Sequence, residues 1–232
     1  MIPLRHENPR RTTPVVNVIL IVINVLMFFW EVSLGPNLDR ALFQVAFIPA
    51  RFWQGYIVPE TIRIFVSMFL HGGLLHLGGN MLYLWIFGDN IEDRLGHFKY
   101  LIFYIACGFA ATLAHAFVNP SSALPSIGAS GAIAGVLGAY LILFPHTRVL
   151  TVIPIIFFIT VREVPAILLL GFWFVIQFFT GVGSLGAAGD ETGGVAYFAH
   201  IGGFVFGIVL VLLMGGKRRP PQRPVTYYDG WR

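Results

Sequence analysis

The sequence predicts an all-α integral membrane protein with six transmembrane helices, and three observations carry that prediction. Of 232 residues, 56% are hydrophobic and only 11% are charged, against roughly 25% charged in a water-soluble domain. Long apolar runs recur, most of them near the ~20 residues a helix needs to cross a hydrocarbon core of ~30 Å, with 130–144 shorter. The mean hydropathy is +0.77. A surface so poor in charge meets lipid, which makes membrane lipids expected partners and nucleic acid not one.

The six segments run over 14–34, 70–91, 98–118, 130–144, 165–180 and 195–214. Pro14 and Pro165 stand at helix starts, where a missing N–H has no intrahelical partner to lose. The first run is too long for a signal-peptide core and reads as a retained helix. The apolar stretch 149–160 is short, split by Pro154 and flanked by Arg148 and Arg162. It reads as an interfacial hairpin or re-entrant turn. Cys107 is the single cysteine, so an internal disulfide is excluded and a packed thiol is expected.

Charge sets the direction. With six spans and an inner N-terminus, Arg5, Arg10, Arg11, Arg94, Lys99, Arg148, Arg162, Lys217, Arg218, Arg219, Arg223 and Arg232 lie inside, and Arg40, Arg51 and Arg63 outside. The positive-inside rule therefore puts both termini in the cytoplasm, and the cell membrane is the expected location. A seventh span at 149–160 would turn the basic tail outward. The domains expected are a cytoplasmic segment 1–13, a six-helix membrane domain 14–215 and a basic tail 216–232. The loop 35–69, with Phe43, Phe47, Phe52, Trp53 and Tyr56, is expected to lie in the outer interface.

Polar residues inside a bilayer are costly and face a cavity or a partner. Spans 2, 4 and 6 all run from outside to inside, so their N-terminal ends share one depth. Span 2 carries His76 and Asn80, four apart and hence on one face. Span 4 opens on Gly128-Ala129-Ser130-Gly131, and span 6 carries Ala199-His200-Ile201-Gly202-Gly203. Gly131 with Gly135, and Gly203 with Gly207, are small-residue pairs that let helix backbones approach closely. His200 shares the face of Gly203 and Gly207, which aims it at the helix opening with Ser130.

Each residue alone has an ordinary reading: a membrane-helix serine bonds its own backbone, and a lone histidine is a polar packing contact, the class assigned to His115 and His146. Four polar residues at one depth on three helices with matched glycine faces make a candidate active site. No His-Glu-x-x-His pattern is present, so zinc chemistry is not expected. Asp89, Asp93 and Asp190 fall at helix ends or in loops, which disfavours a two-aspartate protease. Haem held by His76 and His200 would leave Ser130 and Asn80 unexplained. No cofactor or metal is expected.

At these motifs the sequence resembles the rhomboid family of intramembrane serine proteases, across nearly the whole chain. The resemblance implies a six-helix rhomboid-like bundle that cleaves transmembrane segments of membrane proteins near the outer face. It implies Ser130 as nucleophile and His200 as base. His76, Asn80 and the Ser130 backbone N–H would form an oxyanion hole. Phe69-Leu70-His71 also fits the pattern. Arg63 matches the arginine of a Trp-Arg pair whose tryptophan is Ile62 here. The family's aromatic one turn after the serine is Ala134, so another ring, Phe204 or Tyr197, is expected to support the imidazole. The glycine-rich stretch 181–194 is expected to cap the site. The alternative is a catalytically silent rhomboid-like protein that binds transmembrane segments.

Overall fold

A computed structural model describes residues 1–155, 158–185 and 196–215. In chain order these form strand β1 (Ile2–His6), helix α1 (Val15–Ser33), three short helices α2 (Leu38–Val45), α3 (Pro49–Trp53) and α4 (Ile57–Ser67), and the long helices α5 (Leu74–Leu95) and α6 (His97–Val118). Then come α7 (Ser130–Leu143), strands β2 (Arg148–Ile155) and β3 (Phe158–Pro165), α8 (Ala166–Ser184) and α9 (Tyr197–Leu213). Helices α1, α6 and α8 are long and apolar enough to cross a membrane; α7 and α9 are shorter apolar helices.

Helix α7 forms the middle of the bundle. Every residue from Gly131 to Tyr140 is buried, with α5, α6, α8 and α9 packed around it. The outer helices instead expose large apolar side chains: Leu26 and Phe29 on α1, Phe172 and Phe179 on α8. A helix apolar all round is either core or lipid-facing, and here the two kinds are sorted by position.

Backbone approach holds the centre together. A Cβ on Gly203 would collide with the Gly131 carbonyl, and one on Gly207 with the Gly135 carbonyl. Where α6 joins this contact, a Cβ on Gly135 would lie 2.5 Å from Cys107 Sγ and 3.2 Å from the Gly203 carbonyl oxygen. Contacts this close exclude any side chain, so the glycine faces of α7 and α9 meet main chain to main chain. Cys107 is buried and free.

The first loop is not featureless. Glu60, buried on α4, accepts the Ile48 N–H (2.9 Å) and pairs with Arg63. Ser67 Oγ accepts the Phe47 N–H (2.7 Å), and the Ser67 carbonyl accepts the Gly128 N–H (2.9 Å). Phe47 also bridges to Ser126. Arg63 is therefore anchored by a buried carboxylate, while Ile62 points outward, 63% exposed. Trp53 Nε1 donates to the Ala116 carbonyl (2.9 Å), tying the loop to the end of α6.

The carboxylates at the far end of α5 cap α1. Glu92 accepts the Val16 N–H (2.9 Å) and the Asn17 N–H (2.7 Å) and also contacts His97. Asp93 Oδ1 accepts the N–H groups of Arg11 and Thr12. Negative groups against the orphan donors of a helix start are favourable. Asn17 then donates to the Leu84 carbonyl (3.0 Å) and accepts from Tyr100 OH (2.7 Å), locking α1, α5 and α6 together.

The chain is not helical throughout: the described part of 149–160, expected as a hairpin or re-entrant turn, is paired strand, and so is part of the N-terminal segment. The stretch 149–160 contributes to the antiparallel hairpin of β2 and β3, in which Arg148 faces Pro165 and Ile155 faces Phe158. The strand Ile2–His6 adds to its edge, making a three-stranded sheet in the order β1-β2-β3. A β-rich apolar run too short to span satisfies its backbone by pairing, and the N-terminal segment supplies a second partner. Of the stretch expected as a cap, Gly181–Leu185 ends α8 and 186–194 lies outside the described residues. The basic tail 216–232 lies outside them too.

Candidate active site

Four helices converge on one point. Ser130 is the first residue of α7, where the opening N–H groups have no intrahelical acceptor. The backbone that delivers it is unusual: Gly128 has φ of 129°, a conformation that disfavours any residue with a Cβ. A Cβ there would also stand 3.0 Å from His76 Nε2 and Cε1 and 3.4 Å from Ser130 Oγ. Glycine is thus required twice, for its backbone angle and for the room it leaves.

His200, on the first turn of α9, faces Ser130. The serine Oγ–H donates to His200 Nε2 at 2.8 Å. Its other nitrogen is also engaged, since Nδ1–H donates to Gln177 Oε1 of α8 at 2.7 Å. The assignments agree, because a neutral imidazole carries a proton on one nitrogen and a lone pair on the other. The Trp173 ring, one helical turn before Gln177, lies 5.8 Å from the imidazole at 38°.

Helix α5 brings the donors. Gly72 N–H donates to His76 Nδ1 (3.3 Å), which leaves the proton on Nε2, on the edge of the ring beside Gly128. His71 packs edge-on against His76 (ring centroids 5.1 Å), and its N–H donates to the Glu31 carboxylate of α1. Asn80, one turn below His76, is buried, and its Nδ2 has no hydrogen-bond partner among the described residues. A buried amide donor left unpaired costs free energy. A small pocket, partly open to the surroundings, borders Ser130 and is lined by Ser67, Met68, Thr112, Gly128 and Ala196 among others.

Ser130 and His200 are thus in direct hydrogen-bond contact, with His76 beside them. Phe204 and Tyr197, expected as the ring supporting the imidazole, do not fill that place. Phe204 stacks on Phe174 (4.7 Å) and meets Trp173 (6.0 Å), and the ring against His200 is Trp173. Reading the sequence also passed over Gln177. The signal was present: Gln177 is a carboxamide inside an otherwise apolar helix, and such a group in a membrane helix needs a partner.

Comparison with known proteins places the chain in a family. Residues 58–217 match the Rhomboid domain family. The chain is 34% identical over 171 residues to Rhomboid protein 1, mitochondrial, of Saccharomyces cerevisiae, covering 68% of this chain and 45% of that one. It is 34% identical over 147 residues to the rhomboid protease GluP of Bacillus subtilis, covering 60% of this chain and 28% of the relative. With the rhomboid protease AarA of Providencia stuartii it shares 29% over 136 residues, 53% of this chain and 48% of the other. The matched part spans less than half the length of each of these relatives. A family match over most of the chain, joined to apolar membrane helices, has one meaning: this membrane protein belongs to the rhomboid family.

Proposed function

We propose that this chain is an intramembrane serine endopeptidase, cleaving transmembrane segments of membrane proteins near the outer face with Ser130 as nucleophile and His200 as base. The observation that carries this reading is the 2.8 Å contact between Ser130 Oγ and His200 Nε2. A serine hydroxyl attacks a carbonyl only when a positioned base takes its proton.

The chemistry follows from the geometry. Ser130 Oγ attacks the scissile carbonyl carbon as its proton passes to His200 Nε2, and the carbonyl π pair moves to oxygen. His76 Nε2–H, Asn80 Nδ2–H and the Ser130 backbone N–H donate to that oxyanion in this reading, with the start of α7 adding its dipole. Collapse breaks the C–N bond while the imidazolium returns the proton to the leaving nitrogen. Water, deprotonated by the same imidazole, then hydrolyses the acyl-serine.

In the bilayer, α1 and α5 to α9 are the six spans, with both termini cytoplasmic and the chain in the cell membrane. Helices α5, α7 and α9 then run the same way, so His76, Ser130 and His200 lie at one depth in the outer half. At 1.5 Å per residue, α7 is about 21 Å long, which recesses Ser130 below the outer surface. A substrate helix hides its carbonyls in its own hydrogen bonds, so segments that unwind near that surface are favoured.

The test compares wild type with Ser130→Ala in liposomes, reading cleavage of a single-span substrate and labelling by a fluorophosphonate. The proposal expects both signals from wild type and neither from the variant. A folded wild type that gives neither signal would replace it with the silent binding protein.

A further inference from the structure

We infer that Gln177 is the positioning residue for His200, doing with a neutral carboxamide what a carboxylate does in a three-residue serine hydrolase site. The inference rests on the proposed protease reading and concerns the same site. Three observations meet at one imidazole. His200 Nδ1 and Gln177 Oε1 are 2.7 Å apart. Trp173, four residues earlier on α8, lies against the same ring at 5.8 Å. Ala134, one turn along α7 from Ser130, is buried with no ring to offer.

Residues four apart on a helix share a face, so α8 grips His200 with an apolar wall and a polar hook from one stripe. The hook is specific in its chemistry. An amide oxygen only accepts, so the proton must sit on Nδ1 and the Nε2 lone pair must face Ser130. Without that acceptor an imidazole distributes between tautomers, and the wrong one presents N–H to a hydroxyl that needs a base. Histidine rotation is restrained by the same bond and by Trp173. Packing from α7, which Ala134 cannot supply, is replaced by contacts from α8.

A carboxamide also differs from a carboxylate in a way that can be measured. Carrying no charge, it orients the imidazole without strongly favouring the imidazolium. An ionised carboxylate at the same place would favour the protonated ring and raise its pKa.

The test uses the full-length protein in liposomes with three substitutions. Gln177→Met keeps the length and apolarity but cannot accept the Nδ1 proton. It is expected to lower kcat about 10- to 100-fold with KM within about twofold, less than the ~10⁴-fold loss seen when a charged partner is replaced. Gln177→Glu is expected to retain an acceptor, restore most of kcat, and move the acidic limb of the pH–rate profile upward by about one pH unit or more. Gln177→Asn, with a shorter reach, is expected to fall between them.

A readout independent of turnover is the ¹⁵N spectrum of histidine-labelled protein, with the His200 signal assigned by its loss in His200→Ala. Wild type is expected as the Nδ1–H tautomer, and Gln177→Met as a mixture or the Nε2–H form. An unchanged tautomer in Gln177→Met, or an unmoved acidic limb in Gln177→Glu, would overturn the inference. If wild type shows the Nδ1–H tautomer and Gln177→Met loses it while no substrate is cut, the positioning role stands and the protease reading falls. Should Gln177→Met fail to fold, judged by gel filtration and thermal unfolding, Gln177→Asn and Gln177→Glu carry the same comparison.

Discussion

Gly203→Ala adds one methyl group and is expected to disable the site without touching it. On α9 the new Cβ would collide with the Gly131 carbonyl oxygen, and it would stand 3.1 Å from the Gly131 carbonyl carbon and 3.2 Å from Ala111 Cβ. Two of those three atoms are backbone of α7, so no rotamer change can clear them. Helix α9 must move away, by on the order of 1 Å to restore ordinary van der Waals separation. His200 lies three residues from Gly203 on the same face and travels with it. Starting from 2.8 Å, the Ser130–His200 bond then stretches beyond the distance at which a hydrogen bond forms. Overpacking of this kind costs ~1–3 kcal/mol of stability, and a 1 Å misplacement of reacting groups costs about 10²-fold in rate. Alanine's better helix propensity, up to ~1 kcal/mol, works in the opposite direction. The assay is thermal unfolding in detergent beside the rate of fluorophosphonate labelling. Gly171→Ala on α8, where an added Cβ meets nothing within 4 Å, is the control and is expected to be neutral. A Gly203→Ala protein as stable as wild type and labelled at the same rate would refute the reasoning.

Other perturbations isolate other parts. Asn80→Ala removes a donor that bonds nothing among the described residues, so stability should change by less than about 1 kcal/mol while cleavage falls ~10²–10³-fold; unchanged cleavage would remove Asn80 from the oxyanion hole. Arg63→Met strands the buried Glu60 carboxylate. The expected cost is about 1–3 kcal/mol by thermal unfolding, below the figure for a fully buried pair because the Arg63 side chain is 28% exposed, and Glu60→Gln in the same chain should return part of it. Glu92→Ala uncaps α1, at about 1–2 kcal/mol, and should speed hydrogen exchange at the Val16 and Asn17 amides; unaltered protection there would show that other groups hold the helix start.

How much the sequence disclosed depended on the range of the interactions involved. Helix positions were readable because apolar length is a local property, and α1, α6 and α8 fall within a few residues of the segments read from it. Helix α5 starts later and ends later than hydropathy suggests, at Leu74 and Leu95. Gly73, the residue just before the helix, has φ of 156°, and its charged end is held by capping α1 instead of by lipid. Strand β1 was invisible, since five residues with an arginine and a histidine look like a tail until β2, far along the chain, pairs with them. At the site, Ser130, His200, His76 and Asn80 stood out as polar groups in short glycine-flanked motifs. Gln177 and Trp173 lie in no motif. Their meaning comes from α8 packing beside α9, and only three-dimensional proximity reveals it. Ala134 announced a missing ring, but not which helix would supply a substitute.

The burial of α7 has a consequence for how the protein is made. A ribosome releases the chain in order, so α7 emerges before α8 and α9. At that moment it is a short glycine- and alanine-rich helix with two of its neighbours unmade. The surface it later gives to α9 is carved by Gly131, Gly135 and Gly138 to fit main chain, which offers lipid little to hold. Its final seat therefore waits on α9. Since α9 brings His200, and α8 brings Gln177, Ser130 gains its hydrogen-bond partner only after both helices have been made. On the proposed protease reading, a chain that stops short of α9 has no base for Ser130 and would leave neighbouring membrane proteins uncut.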